Sequence, residues 1–124
     1  MLNLLVHCPL EILRAGFSAF TDNLSETAKI IYMDLNAPGI INTCKINNYD
    51  CIVVLPSEID EDYLLSEKLQ LFVPCIPVIY MAYKIPEEFR KYLFQNGVKA
   101  VIESPFDSHS FENEVKRIKQ NKKS

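Results

Sequence analysis

Residues 49–55 read Tyr49-Asp50-Cys51-Ile52-Val53-Val54-Leu55, an unbroken apolar run behind one tyrosine and one carboxylate. A strand with one wet face alternates apolar and polar residues, whereas a continuous run rich in Ile and Val suits a strand covered on both faces. Four more short apolar runs lie to either side: Leu2 to Val6, Ala28 to Met33, Ile76 to Met81 and Ala100 to Ile102. Each of the five leads into a segment with helical period. Leu10, Leu13, Phe17 and Phe20 mark the first such segment, and Leu64, Leu65, Leu69 and Phe72 the third. Phe89, Tyr92 and Leu93 mark the fourth, and Phe111, Val115 and Ile118 the fifth. The second, Ala37 to Asn47, is the weakest, with Pro38 at its start and Ile40, Ile41 and Cys44 on one side. Strand and helix in five alternations predict right-handed crossovers and a parallel sheet with helices on both faces, a doubly wound α/β domain.

Local punctuation agrees. Pro86 with Glu87 and Glu88 suits a helix's first turn, Asn96-Gly97 its left-handed C-terminal cap, and Asp107 or Ser108 the start of the last helix. The 124 residues leave room for one hydrophobic core, so residues 1–120 are expected to form the domain and 121–124 a basic tail or the start of a linker. A composition of 48% hydrophobic and 23% charged residues excludes a disordered or low-complexity chain. The net charge of -3 argues against direct nucleic-acid binding through a broad basic surface. The first residues are apolar only as far as Val6, and no run approaches the ~20 apolar residues of a membrane span, so a cytoplasmic protein without membrane contact is expected. Cys8, Cys44, Cys51 and Cys75 form no C-x-x-C pair and are read as reduced thiols.

The stretch Gly97-Val98-Lys99-Ala100-Val101-Ile102-Glu103-Ser104-Pro105-Phe106, followed by Asp107 and a helix, resembles the last strand and helix of response-regulator receiver domains. His7-Cys8-Pro9-Leu10 with Arg14-Ala15-Gly16-Phe17 is similar to the Asp-Asp-His-Pro-Leu and Arg-x-Gly-Leu pattern of receivers in LuxR-type transcription regulators. Tyr49 to Leu55 resembles the third receiver strand and Pro77 to Met81 the fourth. The resemblance implies a five-stranded, flavodoxin-like/CheY-like sheet in the order 2-1-3-4-5. Flavodoxins themselves fit less well, because their phosphate-binding loop has no counterpart here.

The departures from the family carry the functional reading. The aligned phosphoacceptor is Leu55, which has no nucleophilic oxygen, and the paired carboxylates that hold Mg²⁺ align with Val6 and His7. The hydroxyl residue of strand 4 aligns with Ala82, the lysine of strand 5 with Ser104 and the switch aromatic with Val101. Only the Ser104-Pro105 peptide remains, which the resemblance implies to be cis. The reading is a pseudo-receiver with a degenerate phosphorylation pocket: Val6, His7, Leu55, Ala82, Ser104 and Pro105.

Other candidate groups fall short of a site. His7 and Cys8, joined by His109 and by Cys51 or Cys75, have no zinc spacing, so no metal and no cofactor are expected. Asp50 precedes the third strand, at the wrong end of the sheet for a substitute phosphoacceptor, and Asp34 ends the second; both read as turn or cap residues. The acidic run Glu58 to Asp62 suits a helix start. Ser57 and Ser104 lack catalytic partners at recognisable spacing, and the chain has no glycine-rich phosphate loop, so no enzyme is expected.

The expected function is phosphorylation-independent signalling by protein contact, as the regulatory part of a LuxR-type regulator or as a stand-alone adaptor. The alternative is a small-molecule binding module using the sheet-edge pocket. A homodimer is expected, with a DNA-binding domain or partner protein outside this chain. Its first-choice face is the last two helices and the strand between them, through Tyr92, Phe94, Val101, Lys116 and Arg117, the two cations meeting Glu87, Glu88 or Glu112. A surface of the first and last helices is the second choice.

Overall fold

The computed structural model describes residues 1–40, 42, 48–55, 67–74 and 76–123. Five strands, β1 (Leu2–His7), β2 (Ala28–Tyr32), β3 (Cys51–Val54), β4 (Val78–Ala82) and β5 (Ala100–Glu103), form one parallel sheet in the order β2-β1-β3-β4-β5. The helices among the described residues include α1 (Glu11–Thr21), α2 (Glu87–Gln95) and α3 (Ser108–Lys123). The doubly wound α/β sheet and its 2-1-3-4-5 order are as the sequence predicts.

Successive strand residues point to opposite faces, so the sheet feeds two cores. Leu5, Ile52, Val54 and Tyr80 join Phe72, Phe89 and Leu93 on one side. Leu4, Val6, Val53 and Ile79 join Phe17, Phe111 and Val115 on the other. Strands β1, β3 and β4 are covered on both faces almost throughout, but β2 and β5 are mostly half-buried. The strand order explains the difference, since it puts β2 and β5 at the two edges.

Helix α1 corrects the expected inner face. Phe17 is buried and Phe20 half-buried against α3, but Leu10 and Leu13 are 44% and 41% exposed. Leu10 sits before the helix in extended backbone. Leu13 lies one turn ahead of Phe17, beyond the end of β1 at His7, where the sheet no longer covers it.

Helix α2 begins behind extended Pro86 and ends at Asn96-Gly97. Gly97 has φ +96°, and a Cβ there would lie 2.7 Å from Val73 Cγ1, so both backbone and packing demand glycine. At the start of α3, Asp107 accepts from the His109 and Ser110 N–H groups and from the Ser110 hydroxyl, which makes Asp107 the cap. The helix continues to Lys123, past residue 120 where the sequence reading ends the domain. Ile41, Cys44, the acidic run Glu58 to Asp62, Ser57, Leu64, Leu65 and Cys75 lie outside the described residues. Ile40, Leu69 and Phe72, from the same two connections, are buried. Among the described residues no helix is long and apolar enough to cross a membrane.

Candidate functional site

The carboxyl ends of the strands are where doubly wound sheets receive ligands. Here Val6, His7, Leu55 and Ala82 fall at the ends of β1, β3 and β4, and Ser104 and Pro105 just past β5. Leu55 N–H donates to the His7 carbonyl at 2.8 Å, continuing the β1–β3 pairing, and Ser104 N–H donates to the Ala82 carbonyl at 3.0 Å, continuing β4–β5. The Ser104-Pro105 peptide is cis, as the resemblance implies.

Apart from the Ser104 hydroxyl, the side chains set at those ends are hydrocarbon or already engaged. Val6 is fully buried, and Leu55 and Cys8 belong to the same apolar core. His7 is buried, and its Nδ1 accepts the Leu35 N–H at 3.1 Å, so the ring proton sits on Nε2. With that lone pair engaged, the 3.9 Å approach of Asp34 Oδ1 to Nδ1 is not an ion pair. Ala82 and Ser104 are half-buried, and Val101 packs on the core without a polar handle. Mg²⁺ in a receiver needs hard oxygen ligands beside the acceptor. A buried valine, an imidazole held by a backbone N–H and a leucine do not fit that ion.

The other candidates separate in space. Asp50 Oδ2 accepts the Asn3 N–H at 2.7 Å at the amino end of the sheet, with Lys119 Nζ 3.7 Å from the other oxygen. Exposed Asp34 caps its own turn by accepting the Asn36 N–H. Cys51 begins β3 opposite Leu4, and full burial beside the Asp50 carboxylate pushes its thiol up to about 12. Burial also raises the Cys8 thiol, an effect opposed by the Arg14 charge and by the bond to the Leu10 carbonyl. Both sulfurs are therefore protonated at neutral pH and poor nucleophiles.

Arg14 has a positioning role that its place in a motif does not reveal. Its Nε donates to the Cys8 carbonyl at 2.7 Å, and its guanidinium lies 5.4 Å from the centre of the Tyr32 ring. The Tyr32 hydroxyl donates to the Arg14 carbonyl and lies 2.8 Å from the Ser18 hydroxyl. This set of bonds ties α1 and the loop before it to edge strand β2.

The expected contact face is largely engaged within the chain. Tyr92 is half-buried, stacked on Phe89, with its hydroxyl donating to Glu67. Arg117 is paired with Glu114 and donates to the Lys99 carbonyl, while Phe94 and Lys116 remain exposed. Glu112 is turned inward, accepting from the Ser25 N–H and hydroxyl and the Glu26 N–H, so it cannot meet a cation across an interface without breaking them. Neither of two surface hollows, of 160 and 460 Å³, is lined by a pocket position. A signal the sequence reading missed is Ile12, 82% exposed, beside a glycine in mid-helix at Gly16.

No family model matches the chain, and no curated protein matches it. Solved structures do. A CheY-like protein (TadZ) from Pseudomonas aeruginosa superposes with a TM-score of 0.78 at 6% identity, over 95% of this chain and 99% of that one. A pilus assembly-related protein from Burkholderia pseudomallei gives 0.75 at 17% identity, over 95% and 89%. A LuxR family DNA-binding response regulator from Silicibacter pomeroyi gives 0.73 at 16% identity, over 98% and 93%. Strand order and these superpositions agree: the chain has the CheY-like fold of response-regulator receiver domains.

Proposed function

We propose that this domain signals by protein contact without phosphorylation, either as the regulatory part of a LuxR-type regulator or as a stand-alone adaptor. One observation carries the reading: the five positions at the strand ends hold Val6, His7, Leu55, Ala82 and Ser104, and the first three are buried. Phosphoryl transfer depends on an oxygen acceptor, a cation and charge partners held in place. Leucine in the acceptor position, with Val6 and His7 where the carboxylate pair would stand and Ser104 in place of the lysine, offers none of these. Burial also weighs against a small-molecule site there, because the side chains fill the edge rather than line a hollow.

On this reading the domain is not an enzyme, needs no cofactor and works in the cytoplasm, paired with a second copy, a partner protein or a DNA-binding domain. The first setting has a counterpart of the same fold, named as a LuxR family DNA-binding response regulator. Incubation with acetyl phosphate, or with beryllofluoride, and Mg²⁺ tests the proposal by intact mass and amide NMR. No mass gain and no Mg²⁺-dependent shift near Leu55 are expected, from the wild type or from Leu55→Asp, whose new carboxylate would still lack cation and lysine. Stoichiometric labelling of the wild type would overturn the reading, and labelling of the single variant would show that the pocket is intact.

A further inference from the structure

We draw no further inference here: the strongest candidate, the 460 Å³ hollow between the turn after β2 and the segment 67–74 before β4, walled by Leu35, Ile40, Leu71 and Phe72 with Lys68 already bonded to Asn36, lies open at the surface, and nothing in the structure shows what covers it.

Discussion

Helices α1 and α3 lie side by side on one sheet face and solve the same inner problem in the same way. Phe17 and Phe20 meet Phe111 edge-on, with ring centres 6.1 and 5.5 Å apart, and Val115 and Ile118 continue the core. Their outer faces diverge. On α3, Glu114 pairs with Arg117, and Lys119 reaches toward Asp50; on the flank, Glu112 closes on the loop before β2. On α1 the outer face has no charge between Glu11 and Asp22 apart from the inward-held Arg14. Both helices contribute to the core under the sheet through their inner faces, so the apolar exterior of α1 adds nothing to that core.

The largest effect expected from breaking this comparison is at the shared junction. Phe111 is fully buried between both helices and the sheet, so Phe111→Ala should cost ~3–5 kcal/mol. Ile12→Ala, on the outer face of α1, should change monomer stability by no more than ~0.5 kcal/mol. Urea unfolding at low protein concentration measures both through their midpoints. Equal losses would mean that Ile12 is covered within the chain, and the contrast between the helices would disappear.

The difference between inner and outer faces also sets what the sequence can disclose. The core strands are legible because a run such as Cys51 to Leu55 has no polar residue to turn outward. The caps at Gly97 and Asp107 are legible because each supplies a backbone need of its own. Leu13 has the right period for the core and still lies open, because its fate depends on β1 stopping at His7, a long-range fact. Glu112 reads as a surface charge but is drawn inward by N–H groups 86 and 87 residues away in sequence. At the candidate site, the resemblance locates the strand ends and the residue types set there, Val6, His7, Leu55, Ala82 and Ser104. That His7 is held by the Leu35 N–H could not be foreseen, since it depends on how the chain leaves β2.

Glu112 offers a smaller effect, with a pH signature. Its bonds from Ser25 and Glu26 hold its carboxyl below the usual glutamate range, burial opposing them. A carboxylate favoured in the folded state stabilises fully above its unfolded pKa, and that contribution is lost as pH falls through the lower folded value. The wild type should therefore lose stability from about pH 5 downward, in part through this group. Glu112→Gln should start less stable at pH 7, by less than Phe111→Ala, and decline less steeply on acidification. Asp107, lowered mainly by its Ser110 bond, and Glu26, by the N-terminal amine, keep a residual slope in the variant. Unfolding midpoints at pH 7 and pH 3.5 settle the point: identical slopes would mean that the loop contact contributes nothing to the pairing of α3 with β2.

The smallest expected change is on the outer face of α1. Gly16→Ala adds a methyl group to an exposed helix position with ordinary backbone and open space around the new Cβ. The unfolded chain loses freedom and the helix gains propensity, so the protein should become more stable by ~0.5–1 kcal/mol. Urea unfolding at low micromolar concentration measures the gain through its midpoint. A destabilised variant would show that Gly16 serves the fold of α1 itself, and the contrast between an inner face that the fold requires and an outer face that it does not would fail at this residue.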